Sequence, residues 1–196
     1  NTGRSAAPPS KALAKAATCD SPEELAFSIT NSLRNNLGCQ HVALGLVQGK
    51  RVSMLAISGQ DDLRLQSPGL IQIQQAMEEC LDFGEPIVCQ DATIHDSGDN
   101  EPSHRLHLQW HNQAQRASVA SIPLVLDGRC VAVLSLQKKP DTEFTTDLIK
   151  QIRDTVEPFA PALLLLMRAR RSLVRHTADA LFSGIRGLLQ SKQYGI

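Results

Sequence analysis

Apolar residues along the chain follow two periods. Leu25, Ile29, Leu33 and Leu37 recur at helical spacing, with Ser32 on the same face and Phe27 beside it. Ser21 stands at the N-cap position of that helix, Pro22 at its first turn and Gly38 just past its end. In "HVALGLVQGKRVSMLAISG" the period drops to two. Val42, Leu44 and Leu46 alternate with smaller residues, and Gln48-Gly49 is read as the turn of a hairpin. On its second strand the alternation places Val52, Met54, Ala56 and Ser58 on one face and Leu55 and Ile57 on the other. "GLIQIQQAMEECLDFG" returns to helical spacing through Leu70, Ile73, Met77 and Leu81 and stops at Gly84. "EPIVCQ" is a short strand, and "SVASIPLVLDGRCVAVLSLQ" is a long hairpin turning at Asp127-Gly128.

Residues Asp91 to Ser103, rich in Asp, Gly, Asn and Pro, read as the longest and most mobile loop. "HRLHLQWHNQAQ" beside it reads as a short helix. From about Thr142 the pattern is helical to the end, with Pro158 and Pro161 expected to kink or divide it. Strands joined mostly by tight turns favour an antiparallel sheet, and helices at both chain ends suit one of its faces. The expected class is α+β. Neither a GxGxxG run nor a Walker loop argues for a nucleotide fold of the doubly wound kind. Three regions are expected: a tail and short helix over 1–20, a domain over 21–160 and a basic helix over 161–196.

Composition narrows the function. A chain of 196 residues with 42% hydrophobic residues can bury one ordinary core. Its formal net charge is zero, which gives no general attraction to nucleic acid. The arginines of the last helix have no aromatics interleaved, so that helix does not read as a nucleic-acid site either. Five cysteines, Cys19, Cys39, Cys80, Cys89 and Cys130, form no CxxC pair and read as reduced thiols of a cytoplasmic protein. Asp61-Asp62 and Glu78-Glu79 read as water-facing pairs, and no GxSxG or HExxH occurs.

Ser118, Ile122-Pro123-Leu124, Asp127-Gly128, Val131-Ala132-Val133-Leu134 and Phe144 together resemble the signature of the GAF domain family. "LGCQHVALGLV" resembles that family's first strand and "GEPIVCQD" its following segment; the resemblance runs from about Pro22 to about Phe159. Ala132 departs from it where glycine is common. The resemblance implies a six-stranded antiparallel sheet with terminal helices on one face. Loops and short helices would form a pocket on the other. It also implies a regulatory sensor of a small molecule, usually dimeric and fused to an output domain. The hairpin and the long last helix suggest in addition that ligand binding orders the Asp91–Asn112 region and biases the C-terminal helix.

Pocket candidates follow from that picture. Ser118 and Ser121 would bring hydroxyls close to the sheet's pocket face, with Ser58 a further candidate; the serines would otherwise serve backbone groups at a strand edge. His104, His107 and His111 share one helical face, with Arg105 and Trp110, the only tryptophan, on the same segment. Three readings stay open there. The imidazoles could ligate a metal or haem. They could join Arg105 and Trp110 in holding an anionic or aromatic ligand. Or the segment is a polar lid with Trp110 in the core.

Among the ligand classes the family implies, cyclic GMP is disfavoured. Gln137-Lys138 and Phe144 resemble its pattern, but the closing acidic pair is missing. A covalent bilin lacks its cysteine. The family's methionine sulfoxide reductases carry a Gly-His-Ile-Ala-Cys-Asp run that this chain lacks, so a cysteine-based redox enzyme is the lesser alternative. A ligand-free dimerisation module is the other. No cofactor is assigned. Arg168, Arg170, Arg171, Arg175, Arg186 and Lys192 make the last helix basic. The positive-inside rule would suit it to a cytosolic position near a membrane, as in a GAF module preceding a HlyD-type secretion protein.

Overall fold

The computed structural model describes residues 18–60, 67–91 and 104–170. Helix α1 (Pro22–Leu37) opens where the Ser21 hydroxyl accepts the Glu24 N–H at 3.1 Å, and it closes on left-handed Gly38. Strands β1 (His41–Gln48) and β2 (Arg51–Ile57) follow, then α2 (Pro68–Phe83), β3 (Ile87–Cys89) and α3 (Arg105–Gln113). The long hairpin is β4 (Val119–Leu126) and β5 (Arg129–Gln137). Helix α4 (Thr146–Val156) starts later than the sequence pattern implies, because the Thr145 hydroxyl caps it by accepting the Leu148 N–H at 3.2 Å. At Pro158 the chain tightens into a 3-10 turn, Glu157–Phe159, and α5 resumes over 160–170.

The strands form one antiparallel sheet in the order β2-β1-β5-β4-β3. Five strands stand among the described residues where the family pattern implied six. Asp127 and Gly128 both take positive φ, 50° and 73°, which a two-residue hairpin of the primed type requires. The first hairpin turns at Gly49-Lys50, one residue later than expected. Pro123 pairs with Val133 of β5, whereas β3 pairs with β4 only from Val119 to Ser121. The missing N–H of the proline therefore falls beyond the end of β3, where no described strand needs it.

Alternation gives each face of the sheet its own core. Val42, Leu44, Leu46, Ile122, Leu124, Leu134 and Leu136 point to one side. There they bury Leu25, Ile29 and Leu33 of α1, Ile149, Ile152 and Val156 of α4, and Leu163 of α5. The opposite face carries Ala43, Val52, Met54, Val119 and Val133 beneath Leu70, Ile73, Met77 and Cys80 of α2 and Trp110 of α3. Bulges break the alternation in both hairpins, at Leu44/Gly45 and at Leu124/Val125. A bulge opposite Leu44/Gly45 leaves Leu55 without a partner, so Ala56 turns to the terminal helices and Ile57 to α2. The expected faces of the end of β2 are thus exchanged.

Residues 1–17, 61–66, 92–103 and 171–196 lie outside the described residues. They hold Asp61-Asp62, most of the expected mobile loop and the expected membrane-proximal arginines from Arg171 on. Among the described residues no helix is long and apolar enough to cross a membrane.

Candidate functional site

Helices α2 and α3 lie antiparallel across the second face. Three pairings fix this: Gln72 Nε2 donates to Gln113 Oε1, Glu79 meets Leu106 and His107, and the Phe83 ring meets the His104 ring edge-on at 4.7 Å. Helix α3 is bolted at both ends. At its start the Glu79 carboxylate accepts the backbone N–H of Leu106 and of His107, each at 3.0 Å. Those amides are orphan donors of a helix N-terminus, where a negative charge is also favoured by the helix dipole. The same carboxylate lies 2.6 Å from His107 Nδ1. His107 Nε2 lies 2.8 Å from Ser121 Oγ, and Ser121 Oγ lies 2.7 Å from Ser135 Oγ on the neighbouring strand.

A carboxylate only accepts, so His107 Nδ1 carries the proton and donates to Glu79. His107 Nε2 then accepts from the Ser121 hydroxyl, which accepts in turn from Ser135. Burial lowers the His107 pKa more than Glu79 raises it, so the imidazole is neutral. For Glu79, burial works upward, but the bonds from the His107 ring and the two amides outweigh it and hold the carboxyl below its ordinary value. Acid, imidazole and hydroxyl thus stand in the order of a nucleophile relay. Ser121 is 0% exposed, so no substrate reaches it; the chain of bonds ties α2, α3, β4 and β5 together.

At the other end of α3, His111 Nδ1 donates to the Ala117 carbonyl at 2.8 Å, and Nε2 faces Asp91 Oδ1 at 3.1 Å. Arg116 grips both Asp91 oxygens, at 2.6 and 3.3 Å, and chiefly this guanidinium holds the Asp91 carboxyl below its ordinary value. A hollow of about 250 Å³ opens beside Trp110, where the C-terminal end of α3 meets the start of α2. Its wall combines His41 of β1, Gln137 of β5, Gln60 after β2, Leu70, Gln72 and Ile73 of α2 and Gln113 of α3. The Trp110 indole N–H donates to Gln137 Oε1 at 3.3 Å, and Gln137 Nε2 donates to Gln40. The lining is apolar ring and methyl surface carrying several carboxamides, a wall that can both donate and accept hydrogen bonds.

Of the residues singled out from sequence, Trp110 lines the hollow. His107, His111 and Ser121 form its supports. His104 stands at the N-cap position of α3 without a side-chain capping bond and packs on Phe83, while Arg105 and Asn112 are exposed. The Ser58 hydroxyl accepts the Val42 N–H at 3.0 Å, closing the end of the first hairpin. Ser118 gives its carbonyl to the Lys138 N–H. Lys138 itself sits over the Phe144 ring at 4.9 Å. Two readings from sequence are corrected. Glu79 is not a water-facing carboxylate but the anchor of α3, its side chain 9% exposed. Glu78 accepts the Val52 N–H and pairs with Arg51 at 3.6 Å. Among the described residues, no three His, Cys, Asp or Glu side chains gather to hold a metal ion.

Among the described residues none of Cys19, Cys39, Cys80, Cys89 and Cys130 pairs with another in a disulfide. Burial pushes Cys39 and Cys89 up to about 11 and Cys80 to about 12, and raises Cys130 as well. Protonated thiols are poor nucleophiles. Native protein at pH 8 is therefore expected to label at part-exposed Cys19 and Cys130 while Cys39, Cys80 and Cys89 resist. Mass spectrometry after short alkylation reads this; rapid native labelling of Cys80 or Cys89 contradicts it.

The sequence profile of the family described as GAF domain matches residues 21–163. The chain belongs to the GAF family. GAF domains are regulatory or sensory modules in general. Solved structures agree on the fold. Residues 122 to 287 of a methyl-accepting chemotaxis protein are similar at a TM-score of 0.58 and 15% identity, over 79% of this chain and 96% of that one. The GAF domain of a phosphoenolpyruvate-protein phosphotransferase from Acinetobacter is similar at 0.55 and 12%, over 82% and 92%. A free methionine-R-sulfoxide reductase from Neisseria meningitidis, solved with its substrate, is similar at 0.56 and 13%, over 82% and 89%. No curated protein matches this chain significantly.

Proposed function

We propose that this GAF domain is a regulatory module that binds a small molecule non-covalently in the hollow beside Trp110. The observation that carries the reading is the wall itself. Gln60, Gln72, Gln113 and Gln137 bring carboxamides, with His41 and Ser67, to a recess that also holds Trp110, Leu70, Ile57 and Ile73 and that lies beside a helix fixed at both ends. A preformed recess with a few oriented polar groups is the usual form of a small-molecule site. The histidine-rich segment enters as scaffold: His107 and His111 hold the helix that presents Trp110.

Trp110 is the sole tryptophan and lines the hollow, so its fluorescence reports on the surroundings of the hollow. A screen of nucleosides, amino acids, organic acids and haem is expected to yield a compound that changes this emission saturably. The same compound should raise the melting temperature, by an amount that grows with concentration. Emission unchanged by every class would overturn ligand sensing. It would leave the module as a dimerisation unit, a reading favoured by Leu165, which stands 63% exposed on α5. We propose that occupancy is relayed from the sheet to the terminal helices packed on its other face, and from there to a fused domain.

A further inference from the structure

The neighbours of Gln137 dictate which way its amide points. Gln137 ends β5 and stands opposite His41 of β1, so the two side chains share one face of the sheet, and both line the hollow. The Trp110 indole N–H is a donor and never an acceptor, so the group it meets at 3.3 Å is the Gln137 carbonyl oxygen, Oε1. The amide nitrogen, Nε2, then donates to Gln40 Oε1 at 3.2 Å. A flipped amide would set N–H against N–H at the indole. An amide oxygen carries two lone pairs and an amide nitrogen two hydrogens. Among the described residues these two bonds use one of each. One lone pair and one N–H therefore remain on a single planar group, held in place on a half-buried residue of the wall.

The complement of such a group is another amide. Its carbonyl would accept from Nε2, and its N–H would donate to Oε1. Ile57, Leu70, Ile73 and the Trp110 ring offer apolar surface to the rest of such a molecule. At about 250 Å³ the hollow lies just below the usual range of ligand pockets, roughly 300–1,000 Å³, which suits a small body. Resting on the reading of the hollow as a ligand site, we propose that Gln137 determines its specificity. The ligand is a small molecule that presents a carboxamide or lactam edge on an apolar body. An ester or lactone of the same shape keeps the carbonyl but has no N–H, and would set an oxygen against Gln137 Oε1.

The test is calorimetric titration with two matched pairs, benzamide against methyl benzoate and 2-pyrrolidinone against γ-butyrolactone, and with benzamidine. Wild type, Gln137→Met and Gln137→Glu are compared, with circular dichroism and melting to confirm that each variant is folded. In at least one pair the amide is expected to bind wild type about tenfold or more tightly than its N–H-free partner, the worth of one hydrogen bond set against an unpaired acceptor. Gln137→Met should erase that preference. Gln137→Glu keeps an acceptor for the Trp110 indole but replaces the amide donor by a second acceptor. It should weaken benzamide and bind benzamidine, whose edge only donates, more tightly than wild type does; if Gln137→Met does not fold, this variant alone decides. An ester or lactone that binds as well as its amide, a preference that survives Gln137→Met, or no gain of benzamidine by Gln137→Glu overturns the role of Gln137 while the hollow stands as a site. Binding by none of these compounds overturns the amide class, and the wider fluorescence screen then judges the hollow separately.

Discussion

Replacing Glu79 by alanine is expected to lower stability by about 3 kcal/mol and to loosen α3. The carboxylate receives the Leu106 and His107 amides and the His107 ring N–H. Removing it strands three donors in a largely buried place, at about 1–3 kcal/mol for each that water cannot reach. It also removes a negative charge from a helix N-terminus. Glu79→Gln keeps an acceptor but turns an amide N–H₂ toward these donors, so an intermediate loss is expected. Urea denaturation of the two variants reads both values; a loss below about 1 kcal/mol for the alanine variant contradicts the anchoring role.

The same network sets a pH dependence. His107 titrates below its ordinary 6.5 when folded, so the unfolded chain binds protons more readily there. Stability is full above that value and falls as pH drops through it. Glu79 titrates below its ordinary 4.5, and its contribution disappears further down, as pH falls through the folded value. Both groups act in one direction: wild type weakens progressively from about pH 6.5 downward, and Glu79→Ala loses the lower part of that slope.

Leu134→Ala is expected to cause a loss of similar size, about 3 kcal/mol, by a different route. Leu134 is 0% exposed in the centre of β5, packed among residues that face α1 and α4. Truncation there leaves a cavity in a layer that does not border the hollow. Denaturation should show the full loss, while any ligand found for the hollow keeps its affinity within about twofold in the folded variant. A tenfold drop in affinity would mean that the two faces of the sheet are not the separate layers described here.

Much of the architecture was legible in the residues. Asp127-Gly128 demanded a hairpin, Ser21-Pro22 and Gly38 bracketed α1, and period-two alternation separated the two cores. The end of β2 was misread because a bulge shifts the face of every residue after it, and nothing in "SMLAIS" marks the extra residue. The site was less legible. Trp110 drew attention because it is unique, and His107 and His111 because of their spacing. Their role could not be read, because it depends on Glu79, distant in sequence and brought in by α2. Gln137 and Ser135 did leave a trace: with Val133 they occupy alternate positions of a strand, and polar groups on a buried face need partners.

The most direct test of the central claim, that the hollow beside Trp110 is where a small molecule enters, is a nuclear magnetic resonance titration of labelled protein with the tightest compound from the fluorescence screen. The indole N–H of Trp110 gives a single resonance, and the side-chain amides of Gln113 and Gln137 can be assigned by substitution. These signals are predicted to shift together and saturably, while the amides of α4 stay in place. Saturable shifts confined to α1, α4 and α5, with the indole unmoved, would place the ligand on the other face of the sheet and contradict the account.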